Sequence, residues 1–184
     1  MEKIQVHDKT FRLMIPYSEI EKAIDAVAEK INRDYQGKEG RNAILCILNG
    51  SIMFTSELMK RSKFDAELLT MKISSYEGTT STGIIREVIG LSGDVAGKNI
   101  LIVEDIVDSG NTIEVIYNEM KAKGAAEVKV CTMLSKPGCY KKDIPLDYVA
   151  LEIPDDFVVG FGLDYNELGR NYKNIYGMFY KLTC

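Results

Sequence analysis

The stretch Ile100-Leu-Ile-Val-Glu-Asp-Ile-Val-Asp-Ser-Gly-Asn-Thr112 decides the fold class. Ile100–Val103 is a continuous β-type apolar run without polar alternation, the pattern of a strand covered on both faces. Two adjacent carboxylates, Glu104 and Asp105, follow it, then a third, Asp108. Ser109-Gly-Asn-Thr112 then opens a helix expected from about Ile113 to Lys123 and stopped by Gly124. In open α/β sheets ligands bind beyond the carboxyl ends of the strands, where these acids and this turn stand. Unpaired backbone N–H groups and hydroxyls at the positive end of a helix suit a phosphate monoester. The adjoining acids repel such a group unless they serve neutral hydroxyls or a metal-bridged substrate. Taken alone, Glu104 and Asp105 read as a solvated loop pair, and Ser109–Thr112 as an ordinary N-cap; their order after a buried strand lifts the functional reading. No Gly-Lys-Ser/Thr of a Walker loop and no G-x-G-x-x-G follows.

Outward from this stretch, strands and helices alternate. Ser18-Glu-Ile-Glu21 has the form of a capping box, with Ile20, Ala23, Ile24, Val27, Ala28 and Ile31 at helical spacing and the helix ending before Gly37. Ile44–Leu48, the turn Asn49-Gly50 and a helix over Ser51–Lys60 come next. A strand over Leu68–Ile73 leads into Ser74–Gly83, polar and Gly-rich enough to predict a long mobile lid, and Arg86–Leu91 returns from it. Val128–Leu134 is a further strand with Lys136-Pro137 at its carboxyl end. Such alternation predicts βαβ units and a mostly parallel sheet flanked by helices. The tail breaks the alternation, with two short strands, Tyr148–Ile153 and Phe157–Phe161, flanking Pro154. The N-terminal segment and residues from about 154 to 184 are expected to form a small hood on a single domain spanning 1–184.

At 184 residues the chain fits one core. With 23 Lys and Arg against 27 Asp and Glu, the net charge of −4 argues against a general nucleic-acid or membrane-surface binder, both of which need a basic footprint. No stretch reaches the apolar length of a membrane span, and a cytoplasmic location is the default expectation. Cys46, Cys131, Cys139 and Cys184 are far apart and form neither a zinc nor a redox motif. His7, the single histidine, has no Cys or His neighbour and reads as a surface or packing residue, so histidine catalysis is not expected.

Ile100–Thr112 resembles the phosphoribosyl-pyrophosphate motif of type I phosphoribosyltransferases, and the resemblance runs over nearly the whole chain. It is strongest toward the bacterial hypoxanthine and hypoxanthine-guanine members. The supporting segments are Leu48-Asn-Gly-Ser51, Ser75-Tyr76, Lys136-Pro137 and Ile153-Pro-Asp-Asp-Phe-Val-Val-Gly-Phe-Gly-Leu-Asp-Tyr-Asn-Glu167. The resemblance implies a type I phosphoribosyltransferase α/β fold and a purine-salvage enzyme. Its reaction is the Mg²⁺-dependent transfer of phosphoribose to hypoxanthine or guanine, giving IMP or GMP and pyrophosphate. By the same resemblance Glu104 and Asp105 meet the ribose hydroxyls directly or through Mg²⁺, and Asp108 is the general base. Ser109, Gly110, Asn111 and Thr112 cradle the 5′-phosphate. Lys136 donates to the purine 6-oxo group, Phe157 stacks on the base, and the Val158 backbone reads its edge. Asp164 lies near the base, a second Mg²⁺ and the pyrophosphate, while Asn49, Gly50 and Arg170 contact pyrophosphate. Ser75 and Tyr76 belong to a loop that closes to exclude water, and the family implies a homodimer or homotetramer.

These roles agree with elementary chemistry. An ammonium donates and cannot accept, so Lys136 suits a 6-oxo group and opposes the 6-amino group of adenine. Two departures from the family pattern stand out. Asn49 occupies a position where many relatives have Lys. Gly138-Cys139-Tyr140, followed by Lys141-Lys142, stands where basic residues are usual. A regulatory domain that binds the ligand without turnover could keep the phosphate cradle while losing Asp108 or the lid; both are present here, and ligand binding without catalysis would favour it. A phospho-acceptor receiver would draw its acids from separate loops and would not require this turn, and failure to label with a phosphodonor would exclude it.

Overall fold

A computed structural model describes residues 2–38, 40–75 and 85–178. The elements are β1 (Lys3–Val6), β2 (Lys9–Ile15), α1 (Tyr17–Tyr35), β3 (Arg41–Leu48), α2 (Ile52–Arg61), β4 (Glu67–Ser75), β5 (Ile85–Ile89), β6 (Lys98–Val107), α3 (Asn111–Ala122), β7 (Glu127–Ser135), β8 (Tyr148–Glu152), β9 (Val158–Val159) and β10 (Ile175–Met178). The main sheet has the order β5-β4-β3-β6-β7-β8; β5 is antiparallel and the other five strands are parallel. The smaller sheet, β1-β2-β10-β9, is antiparallel and joins the N-terminal segment to the tail.

The continuous apolar runs follow from burial on both faces. Leu101 and Val103 of β6 pack into a core shared with Ile20, Ile24, Val27 and Ile31 of α1 and Phe54 and Leu58 of α2. Ile100 and Ile102 of the same strand enter the opposite core with Ile113, Ile116 and Met120 of α3. Successive side chains alternate across the sheet, so both faces need apolar residues and polar alternation disappears. Truncating one of these, for example Ile24→Ala, is expected to cost about 2–5 kcal/mol.

Strand order positions the site. From β3 the chain passes through α2 to β4 on one side, then crosses to β6 on the other side of β3. The connections leaving the carboxyl ends of β3 and β6 therefore diverge, opening a crevice between them. The loop after β3 and the turn after β6 face each other across it.

Three local expectations need correction. α1 begins at Tyr17 with Pro16 at its N-cap, and the first N–H, of Tyr17, donates to the Asn174 side-chain oxygen at 2.9 Å rather than to a neighbouring Ser or Glu. Proline's fixed φ and missing N–H suit a helix start, so the Ser18/Glu21 capping box is not formed. Ser74 and Ser75 continue β4, where backbone pairing to Arg86 and Ile85 of β5 overrides their polarity. Tyr76 and the rest of the expected lid, through Gly83, lie outside the described residues. Finally, β8 joins β7 in the main sheet, so the tail departs from the parallel pattern only after Pro154.

Candidate active site

The β6–α3 connection forms one wall of the crevice. Gly110 is the N-cap of α3 with φ 86°, a left-handed conformation that costs glycine little. A Cβ there would press into the Tyr140 ring and the Lys142 stem. No side chain caps α3, and its first backbone acceptor bond is Glu114 N–H to Gly110 C=O at 2.9 Å. The N–H groups of Asn111, Thr112 and Ile113 thus remain available at the positive helix end beside the Ser109 and Thr112 hydroxyls, a geometry suited to an anion.

Glu104 and Asp105 end the apolar part of β6. Asp105 accepts the Ile106 N–H at 2.7 Å, and Glu104 accepts the Asp105 N–H at 3.3 Å. Glu104 is 7% exposed and its Oε2 has no partner. Burial pushes its carboxyl well above the ordinary range, and the adjacent Asp105 charge adds to the push. Burial also raises Asp105, against hydrogen bonds from Glu104 and the Ile106 N–H and the charge of Arg170. A buried acid with an orphaned oxygen and a half-buried one beside it form a hard, oxygen-rich donor set that favours a cation or hydroxyl donors. Asp164 is the remaining acid expected at a metal. Among the described residues it forms no three-ligand cluster with Glu104 and Asp105; the cluster of potential ligands is Asp108, Cys139 and Asp155.

The opposite wall is the loop after β3. Ser51 is fully buried, donates to the Ile47 carbonyl at 2.7 Å and lies 3.3 Å from the Cys46 sulfur. This closes the turn and brings the Gly50 backbone against Asp105. A Cβ on Gly50 would overlap the Asp105 carboxylate, and one on Gly162, φ 99°, would overlap the Gly50 carbonyl. Arg170 completes this side: its guanidinium donates to the Gly162 carbonyl at 2.8 Å and pairs with Asp164 at 2.8 Å. Asp164 also accepts the Glu167 N–H at 2.8 Å, so it caps its own segment as well as facing the cleft. The cleft holds about 350 Å³ and collects Asn49, Gly50, Glu104, Asp105, Asp108–Thr112, Asp164 and Arg170.

Lys136, Phe157 and Val158 do not line that cleft, and Lys136 is joined to it through Asp108. Lys136 is buried rather than solvated: its backbone N–H reaches the Val107 carbonyl, and its amine pairs with Asp108 at 3.0 Å and Asp155 at 3.1 Å. Burial works against the ammonium, but the hydrogen bonds to the two acids outweigh it and hold Lys136 above its ordinary range. Phe157 is 41% exposed, with Tyr165 edge-on at 5.8 Å and Phe11 at 6.3 Å behind it, so it is not a core residue. The Phe157 carbonyl accepts the Met178 N–H at 2.8 Å, and Val158 pairs opposite Gly177. Alternation along an antiparallel ladder then turns the Val158 N–H and C=O away from β10, off the free edge of the small sheet. His7 is exposed and bonded to the Asn166 carbonyl, outside the site.

Sequence reasoning missed Asp155, Tyr140 and Gly162. Asp155 adjoins Pro154 in a segment singled out for other residues, and Tyr140 carries no charge signal; only their packing reveals them. Lys142 pairs with Glu114 at 2.7 Å and Lys141 is exposed, so neither reaches the cleft.

A family model described as the phosphoribosyl transferase domain matches residues 16–166. A hypoxanthine-guanine phosphoribosyltransferase of Streptococcus pneumoniae is 39% identical over 166 residues, 89% of each chain. A hypoxanthine phosphoribosyltransferase of Buchnera aphidicola is 34% identical over 94% of this chain and 98% of its own. The crystal structure of a Staphylococcus aureus hypoxanthine phosphoribosyltransferase superimposes with a TM-score of 0.84 at 36% identity, covering 91% of each chain.

Proposed function

Since this chain belongs to the phosphoribosyl transferase family, we propose that it transfers phosphoribose from phosphoribosyl pyrophosphate to hypoxanthine or guanine, yielding IMP or GMP and pyrophosphate in purine salvage. The carrying observation is the juxtaposition of a free helix start, an acid pair whose Glu104 is buried, and a buried lysine bonded to a third acid. In this reading the 5′-phosphate sits on the amides and hydroxyls of Ser109–Thr112. Glu104 and Asp105 face the ribose hydroxyls, while Asn49, Gly50 and Arg170 receive the pyrophosphate. Phe157 stacks on the base, the Val158 backbone meets its edge, and Lys136 donates to its 6-oxo group. A purine imidazole nitrogen attacks C1′ of the sugar as the C1′–O bond to pyrophosphate breaks, and Asp108 takes the proton from the base. Arg170 offsets charge gathering on the leaving group, and Asp164 keeps Arg170 oriented.

The orphaned Glu104 oxygen and the oxygen donors beside it fit Mg²⁺, with Glu104 and Asp105 as the residues that would hold one ion and Asp164 the residue that would face a second. When bound, Mg²⁺ neutralises pyrophosphate charge. This answers the net charge of −4: an anionic sugar is held by amides and a metal, without a basic surface. The proposal extends to one domain over 1–184, a cytoplasmic location consistent with the free thiols of Cys46, Cys131 and Cys139, and a homodimer or homotetramer. Light scattering reads the assembly. No helix of the described residues is long and apolar enough to cross a membrane. Incubation with hypoxanthine, phosphoribosyl pyrophosphate and Mg²⁺ is expected to give IMP and to stop on chelation; no turnover of any 6-oxopurine would sink the activity. Comparing kcat/KM for hypoxanthine, guanine and xanthine ranks the bases.

A further inference from the structure

Lys136 is placed with unusual care for a residue with one expected task. Its backbone is tied to Val107, its side chain is 10% exposed, and its ammonium lies at near-equal distances from two carboxylates, Asp108 at 3.0 Å and Asp155 at 3.1 Å. Asp155 is itself 72% exposed, but its backbone position is fixed by the sheet. Ser135 pairs with Glu152 across β7 and β8, and the Ile153 N–H bonds the Ser135 carbonyl at 2.9 Å. That register carries the Pro154-Asp155 turn back beside the residue that follows β7.

An ammonium has three donors and no acceptor. With Asp108 as its sole acid partner, a largely buried lysine would collapse onto that carboxylate, occupying the group required to accept a proton and withdrawing its donors from the base. A second carboxylate at the same distance divides the attraction. Two donors are then engaged on two separate carboxylates, whose oxygens lie within 4.8 Å of each other, and the third remains for a ligand oxygen. We propose that Asp155 is a positioning residue that holds Lys136 poised between itself and Asp108 so that one N–H is presented to the 6-oxo group of the base. This rests on the activity proposed above. It assigns to an exposed acid outside the phosphate cleft part of the preference for oxo over unsubstituted or amino purines. The Cys139 sulfur lies within 4.8 Å of carboxylate oxygens of both acids.

The test compares the wild-type chain, Asp155→Asn and Asp155→Glu. KM for hypoxanthine, KM for phosphoribosyl pyrophosphate, and competitive inhibition by unsubstituted purine, which has no 6-oxo group, are read for each. Asp155→Asn is expected to raise KM for hypoxanthine roughly tenfold, the scale of one charge-assisted hydrogen bond, and to leave inhibition by purine and the KM for the sugar within about twofold. Asp155→Glu is expected to restore most of the loss because it keeps the charge. Equal weakening toward both purines, a parallel change in the sugar KM, no change at all, or a loss in Asp155→Glu as large as in Asp155→Asn overturns the role. A wild-type chain that turns over no 6-oxopurine overturns the activity and this inference with it; normal turnover with an unmoved hypoxanthine-to-purine ratio overturns the role of Asp155 alone.

Discussion

The two halves of the site are built in different ways. The side proposed for phosphate and ribose, Glu104 to Thr112, is a single run of chain leaving β6 and entering α3, and its shape comes from local rules: a strand end, a left-handed glycine and an uncapped helix start. The side proposed for the base is assembled from the end of β7, the turn after β8 and the edge strand β9, and its key contact joins Lys136 to Asp108 and Asp155 across 28 and 19 residues. A continuous segment carries its geometry within itself, whereas an assembled one depends on strand order and register. Substitutions on the first side should therefore disturb chemistry and phosphate binding, and those on the second should disturb recognition of the base.

The largest effect tests the hinge between the halves. Asp108 belongs to the continuous segment but bonds the assembled one, and Asp108→Asn is expected to cut the chemical rate by roughly 10²–10⁴ while the melting temperature changes little. A single-turnover rate equal to wild type would remove it as the base. Next is Gly50→Ala. Its Cβ must displace the Asp105 carboxylate, and misplacing a reacting group by about 1 Å costs on the order of 10²-fold, so kcat/KM for the sugar substrate should fall by about that factor. Retained activity would show that the two walls need not touch.

Phe157→Ala should separate the halves cleanly. Losing a stacking platform worth about 1–3 kcal/mol per base is expected to raise KM for hypoxanthine roughly tenfold, with KM for phosphoribosyl pyrophosphate unmoved. A matching rise in both would place Phe157 in general packing.

The smallest effect is on stability. Glu104 is pushed above its ordinary range by burial and by Asp105, so its contribution is fully present below the unfolded-state value and is lost as pH rises toward the raised folded value. In chelator at neutral pH, Glu104→Gln removes a buried charge and should raise the melting temperature by about 2–4 °C, with the gain shrinking in acid. An unchanged difference between pH 5 and pH 8 would refute the assigned cause.

Legibility followed the same division. Ile100–Val103, the turn and α3 were readable because covered strands lose polar alternation and helix starts need free N–H groups. The small sheet could be anticipated from the broken alternation, but the placement of β8 in the main sheet could not, because five residues of mixed burial fit either sheet. Ser18-Glu-Ile-Glu21 matched a capping box, yet Pro16 starts the helix instead. Lys136 and Phe157 are legible through the family pattern, whereas Asp155 is not, since an acid after proline has no local mark of what it will meet.

Sequence alone determined the strand, acid pair, turn and helix of the phosphate side, because each is a property of neighbouring residues and the faces they bury. Tertiary structure decided that Gly50 lies against Asp105 and Gly162, that Arg170 closes over them, and that Lys136 stands between Asp108 and Asp155. The first contact arises where the chain crosses from β4 and β5 to the far side of β3, and the last from the pairing of β8 beside β7, choices of strand order and register that no local pattern of side chains encodes.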